Sequence, residues 1–238
     1  MPAEPDTDPV TCTVEDGVAI VRLDDGKVNV VSHRVIERLH AALDTALDEA
    51  GAVAIVGREG KLSAGFDLTE MTAGIDSARA LVGAGGRLLM RLFTHPQPVA
   101  VAVTGHALAA GALLVLSCDA RIGAEGPAKI GLNETAIGMP LPQYAIELAQ
   151  ARLHPAHLTR AAIQAEIYDP TGAVAAGYLD RVVPAADCAI AAIDEARRLG
   201  ALPGPAYAGT KRSLRQPIAD RVLAGIDADM ASIAGPSA

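Results

Sequence analysis

Two segments of this chain combine small residues with positions from which backbone amides can act. L-S-A-G-F-D-L (62–68) and G-H-A-L-A-A-G-A-L-L (105–114) each follow a short apolar run, A-V-A-I-V-G (52–57) and V-A-V-A-V-T-G (99–105). Gly65 and Gly111 permit a sharp turn or a close backbone approach. Amides at the start of a helix have no intrahelical acceptor, so two such groups facing one cleft can hold a negatively charged oxygen. In acyl chemistry an oxyanion hole of this kind is often the largest single catalytic contribution. On spacing alone, the two segments read first as the ordinary strand-to-helix turns of any α/β protein.

The elements that must position these turns follow from periodicity. T-C-T-V (11–14) and V-A-I-V-R-L (18–23) flank E-D-G and predict a β-hairpin. Ser32 is placed to cap a helix over 33–49, where Val35, Ile36, Leu39, Leu43 and Leu47 recur at helical spacing. Strands are expected at 52–57, 99–105 and 120–124, with helices at about 76–93 and 112–118. Beyond 142 the pattern is mostly helical, with one strand near 177–183 and two final helices over 205–214 and 217–233. This alternation predicts an α/β layered fold. The expected organisation is a disordered acidic, Pro-rich tail over 1–10, a core over 11–200, and a C-terminal helical arm over 201–238 that docks on the core or on another subunit.

Composition narrows the function. The chain has 238 residues, half of them apolar, yet only two Phe, four Tyr and no Trp, so its core must rest on close contacts among Ala, Val, Leu and Ile. A net charge of −8 speaks against nucleic acid as a partner. Cys12, Cys118 and Cys188 form neither a disulfide framework nor a zinc motif and suit a reducing cytoplasm. The longest apolar stretches, 98–105 and 107–118, are interrupted and too short for a membrane span.

Five segments, in order, resemble the crotonase (enoyl-CoA hydratase/isomerase) family. S-A-G-F-D-L is similar to its A-G-x-D-L turn, and G-H-A-L-A-A-G-A-L-L-V-L-S-C-D to its G-x-A-x-G-G-G-x-x-L-x-x-x-C-D segment. D-G-K-V-N-V-V-S (25–32) resembles the CoA loop, G-L-N-E-T-A-I-G-M-P (131–140) the G-x-x-E segment, and A-A-G-Y-L-D-R-V-V-P (175–184) the G-L-V-D-x-V-V-P segment. The resemblance spans about 11–200. It implies a crotonase-like spiral of ββα units with a C-terminal helical arm, assembled as a trimer or dimer of trimers, acting on an acyl-CoA thioester without metal or redox cofactor.

Carried over residue by residue, the resemblance assigns the oxyanion donors to the N–H groups of Phe66 and Ala110, and the proton-transferring carboxylate to Glu134. Ala109 and Ala110 stand where the family has two glycines; the amide survives if Ala110 keeps a negative φ. Lys27 and Val28 of the CoA loop, Ala64 and Leu68 beside Phe66, and Gly111 and Leu113 beside Ala110 fall among the substrate-binding positions. Met71 and Met139, with Leu141, neighbour an apolar acyl pocket. Lys211, with Arg212 and Arg215, has the spacing of a solvated helix face; the resemblance implies a phosphate contact for it across a subunit boundary. Asp67 and Asp119 match structural aspartates.

The second carboxylate of the family's hydratases is absent: Leu113 occupies its place. One glutamate suits isomerisation, which shuttles a proton between carbons, better than hydration. A non-catalytic acyl-CoA binder, or an acyl-CoA hydrolase, is the alternative. Other features read as structural. G-A-G-G-R-L (83–88) follows no strand and is not a nucleotide loop. His154 and His157 lack metal-ligating partners, His106 reads as a hydrogen-bonded residue, and Ser63 has no nucleophile-elbow context.

Overall fold

A computed structural model describes residues 8–232; the first seven residues of the expected tail and the last six of the arm lie outside it. In chain order the elements are β1 (Val10–Glu15), β2 (Val18–Leu23), β3 (Val30–Val31), α1 (His33–Glu49), β4 (Ala52–Gly57), β5 (Gly60–Ser63), β6 (Gly65–Phe66), α2 (Leu68–Thr72), α3 (Ile75–Thr94) and β7 (Val99–Val103). They continue with β8 (Gly105–Leu108), α4 (Ala110–Ser117), β9 (Ala120–Ala124), β10 (Ile130–Gly131), α5 (Gln143–Arg152), α6 (Pro155–Ala162), α7 (Pro170–Ala176), β11 (Arg181–Val183), α8 (Cys188–Gly200) and α9 (Gly204–Ser232).

One sheet runs β1-β2-β4-β7-β9-β11, antiparallel only at the β1–β2 hairpin. A second, parallel sheet runs β10-β8-β5, and β3 pairs with β6. Successive passes of the chain thus place one strand in the large sheet, one in the small sheet, and then a helix. This is the spiral of ββα units expected from the resemblance.

The central strands β4, β7 and β9 of the large sheet are buried on both faces, and their two-residue period sorts side chains by size. Val53, Ile55, Val99, Val101 and Val103 face the main core with Leu39, Leu43, Leu88, Leu92 and Phe93. Ala52, Ala54, Ala100 and Ala102 face the other way, against Cys188, Ala192 and Ala196 of α8. With alanines on both sides, α8 rests close on the sheet. That is how a chain poor in aromatic residues fills its interior.

The helix cap at Ser32 forms as the sequence indicates: its Oγ accepts from Val35 N–H at 3.2 Å. Three expectations need correction. Residues 8–10 are held rather than loose, since Pro9 C=O accepts from Asp24 N–H and Val10 opens β1. The strand near 177–183 begins only at Arg181. Gly177 closes α7 at φ 92°, and the amides of Tyr178 and Leu179 bond back to Ala173 C=O. The two final helices are one, running through Pro217. The missing amide of Pro217 is outweighed by a continuous buried stripe of Lys211, Arg215, Ala219, Val222, Ile226 and Met230, which seats α9 on α3 and α5 of its own chain.

Lys211 and Arg215 therefore do not form a solvated face. Asp119 accepts from Lys211 Nζ at 2.6 Å, Arg215 Nη1 at 2.7 Å and Val99 N–H at 2.8 Å, and all three side chains are buried. Lys211 Nζ also donates to Gln97 C=O, and Arg215 Nη1 to Phe93 C=O, with its guanidinium 4.6 Å from the Phe93 ring centre. Burial holds the Lys211 ammonium below its ordinary range, with the Asp119 carboxylate opposing the shift.

Removing one member of a buried ion cluster strands the others without counter-charge. Asp119→Ala is expected to cost about 3–5 kcal/mol of unfolding free energy, measured by urea titration. Replacing all three together with apolar residues (Asp119→Leu, Lys211→Met, Arg215→Met) is expected to cost far less.

Candidate active site

The two segments singled out from sequence meet. Gly65, at φ 106°, is packed so that a β-carbon there would lie 3.0 Å from Ala109 Cβ, 3.3 Å from Leu108 O and 3.6 Å from Ala110 N. A β-carbon on Gly111 would lie 2.5 Å from Ser63 O. Gly111 is thus required by close approach and Gly65 by its positive φ in a tight setting, and the approach brings the start of α4 against β6.

At the start of α4, Leu113 N–H is the first amide to bond within the helix, to Ala109 O at 3.0 Å. The amides of Ala110, Gly111 and Ala112 precede that ladder. On the facing segment, Asp67 N–H donates to Val31 O across the parallel β3–β6 pair. Successive amides of an extended strand alternate in direction, so the Phe66 N–H is turned away from β3. Ser63 is buried and its Oγ accepts from Gly65 N–H, a turn-closing role rather than that of a nucleophile. Asp67 caps α2, accepting from Thr69 and Glu70 N–H.

The departure from glycine is absorbed one residue earlier than the sequence suggests. Ala110 is helical, whereas Ala109 takes φ 49° and ψ −121°, a conformation suited to glycine.

Glu134 reaches the same region through β10. Ile130 and Gly131 pair with Ala107 and Leu108, and Gly131 C=O accepts from Ala109 N–H. Three residues later Glu134 is 8% exposed, and its Oε2 is buried without a hydrogen-bond partner. Burial pushes its carboxyl up to about 7, against the lowering effect of its own backbone amide.

The other candidates divide. Phe66, Met71 and Leu141 are half-buried against the main core, and Met139 is half-buried with its N–H on Glu134 C=O. Ala64 donates to Val28 C=O, tying the predicted CoA loop to the Gly65 turn. Lys27 is exposed, and its C=O accepts from Arg58 Nη1. Leu68 is 73% exposed on α2. Leu113 is 1% exposed and belongs to the main core. Lys211 is turned inward onto Asp119, away from any external phosphate. His106 Nδ1 accepts from Lys129 N–H, and His154 caps α6, so both serve the scaffold. Among the described residues no cluster of three or more His, Cys, Asp or Glu could hold a metal.

Sequence reasoning missed Gly85 and the tyrosines. The G-A-G-G segment lies inside α3, and a β-carbon on Gly85 would lie 2.5 Å from Cε1 and Cζ of the Phe66 ring. Gly86 makes room for the Tyr144 ring in the same way. Three of the four tyrosines, Tyr144, Tyr168 and Tyr178, keep buried hydroxyls without a partner. The one signal for them was their scarcity in a chain that otherwise packs without rings.

This combination of spiral fold and paired turns is that of one enzyme family. The enoyl-CoA hydratase/isomerase family model matches residues 13–234, and the chain belongs to that family of lyase- and isomerase-type enzymes. Human mitochondrial enoyl-CoA delta isomerase 1 is 30% identical over 219 residues, covering 90% of this chain and 72% of that protein. A solved enoyl-CoA hydratase/isomerase family protein from Pseudomonas syringae is 42% identical with a TM-score of 0.92, over 95% of this chain and 99% of that one. The solved enoyl-CoA isomerase of Mycobacterium tuberculosis is 35% identical with a TM-score of 0.90, over 94% and 99%.

Two outcomes follow. Ala109→Gly is expected to raise stability by about 1 kcal/mol in thermal or urea unfolding, because relief of the left-handed strain exceeds the added chain entropy. For Glu134, the folded pKa of about 7 lies above the ordinary 4.5. The native state then holds its proton more tightly. The penalty is absent below the unfolded pKa, grows as pH rises from 4.5 to 7, and is constant above. Glu134→Gln lacks it and is expected to gain over wild type between pH 5 and pH 8, approaching about 3 kcal/mol.

Proposed function

We propose that this enzyme isomerises an enoyl-CoA thioester, moving a double bond from the 3- to the 2-position. The observation that carries the reading is Glu134: one buried carboxylate, unpartnered at Oε2, three residues beyond the Gly131 carbonyl that holds Ala109 N–H at the start of α4. The N–H groups of Phe66 and Ala110 polarise the thioester carbonyl and hold the dienolate oxygen. Glu134 removes a proton from C2 and returns it at C4, so one group serves as base and then as acid. The step is redox-neutral, and coenzyme A enters only as part of the substrate. A carboxyl poised near pH 7 suits both halves of the transfer.

Leu113 supports isomerisation over hydration. Buried in the apolar core, it offers no second carboxylate to orient a water. Phe66, Met71, Met139 and Leu141 supply apolar surface for the acyl chain.

Purified protein is expected to convert a 3-enoyl-CoA at a rate well above its hydration of crotonyl-CoA. Glu134→Gln should lower kcat by about 10²–10⁴. The kcat/KM of the wild type should rise with pH as Glu134 loses its proton, with a midpoint near 7. Faster hydration than isomerisation, or full activity in Glu134→Gln, overturns the reading. Thioester binding without turnover favours the non-catalytic alternative.

A further inference from the structure

Three polar aromatic side chains, Tyr178, Tyr168 and His157, pack in succession beside the strand that leads to Glu134. Ile130, on the strand that delivers Glu134, exchanges two backbone hydrogen bonds with Tyr168, each 2.9 Å. The Tyr168 ring centre lies 5.8 Å from that of Tyr178 and 5.8 Å from that of His157 on α6. Tyr178 is fully buried, Tyr168 is nearly so, and His157 is half-buried. Tyr178 lies within electrostatic reach of both Tyr168 and Glu134, and close to the amide of Leu132, two residues before Glu134.

Glu134 Oε2, Tyr168 Oη and His157 Nδ1 are each buried without a hydrogen-bond partner in the protein, and the buried Tyr178 Oη has at most the Leu132 amide beside it. An unsatisfied buried polar atom costs about 1–3 kcal/mol, so several among neighbouring side chains are not neutral packing. Groups of this kind are satisfied by bound water, which joins them into a continuous hydrogen-bonded path. Each of these residues can accept a proton and donate one. The half-buried imidazole belongs to the side-chain type that titrates nearest neutral pH.

We propose that Tyr178, Tyr168 and His157 form a proton-exchange path through which Glu134 trades its proton with solvent across the protein interior. The proposal rests on Glu134 carrying the proton in isomerisation. Each exchange makes and breaks only O–H and N–H bonds: the Glu134 proton passes outward along the path and is released to solvent at His157, and a solvent hydron taken up at His157 passes inward to Glu134, so charge and oxidation state are unchanged at the end. The three are positioning and relay residues, not groups that touch the reacting carbons. The path sets how often the proton returned at C4 is the one taken from C2. Tyr144, whose hydroxyl is also unpartnered and lies within reach of Glu134 and Asp229, marks the competing direction toward α9.

The test is turnover of a 3-enoyl-CoA in D₂O, with deuterium in the 2-enoyl product read by mass spectrometry at low conversion. Wild type is expected to incorporate deuterium in a measurable fraction of turnovers. Tyr178→Phe and Tyr168→Phe should each lower that fraction at least threefold while kcat changes less than twofold. His157→Ala should do the same, with added imidazole restoring incorporation. Tyr144→Phe should leave the fraction unchanged. Incorporation that is absent in wild type, unaltered in both tyrosine variants, or lost instead in Tyr144→Phe overturns the path. Should Tyr178→Phe fail to fold, Tyr168→Phe and His157→Ala decide the matter. Absence of any wild-type turnover would instead sink the isomerase reading, which the total product yield reports separately.

Discussion

The turns at Gly65 and Gly111 leave no easy place for a β-carbon, one because of its backbone conformation and the other because of its neighbour, and the rest of the architecture serves that contact. A β-carbon at Gly111 would lie 2.5 Å from Ser63 O, and one at Gly65 would lie 3.0 Å from Ala109 Cβ. The small sheet makes the contact reproducible, because β5 and β8 run parallel and deliver the two turns to the same end. Residue 109 bears the cost. Its alanine sits in a glycine-like conformation so that residue 110 can enter the helix with its amide ahead of the ladder. Strain of this kind persists only where the surroundings over-determine it, here by the bond from Ala109 N–H to Gly131 C=O.

The same economy shows in the packing. Valine and alanine alternate along β7, and β-branched residues and alanine do so over the first four residues of β4, so one face of the sheet meets a thick core and the other a closely seated helix. Space next to the turns is made by deletion rather than by bulk. Gly85 and Gly86 let two rings, Phe66 and Tyr144, press into the flank of α3. The polar exceptions are of two kinds. The Asp119 cluster is saturated with partners and holds α9. Glu134 and the tyrosines near it are not saturated, and such buried incompleteness is characteristic of places where protons move.

Much of this was legible in the sequence because it is local. The hairpin, the Ser32 cap, α1 and the strands leading to both turns follow from period and capping residues within a few positions. The five ordered segments carried the spiral and the meeting of the two turns. What could not be read was non-local. The final helix read as two, over 205–214 and 217–233, because the stripe that carries α9 past Pro217 is compensated by partners on α3 and α5. Lys211 and Arg215 looked solvated because Asp119 lies 92 and 96 residues away. Gly85 looked like an interruption because the ring that needs its missing β-carbon comes from another element. Ala109, not Ala110, takes the unusual backbone because the sequence does not reveal where the helix ladder starts.

The remoteness of Asp119 from its two cations sets an order of events during synthesis. At about 5–20 residues per second, a nascent chain that has just exposed Asp119 waits on the order of 5–20 s before Arg215 is made. Throughout that interval the Asp119 carboxylate at the start of β7 lacks the two cations that saturate it, and α3 lacks the helix that covers it. A truncated or stalled chain ending before α9 would carry an acidic, apolar-rimmed groove in place of a closed interior. Closure of this part of the interior therefore waits on α9, which brings both cations and the apolar stripe to a site laid down about a hundred residues earlier.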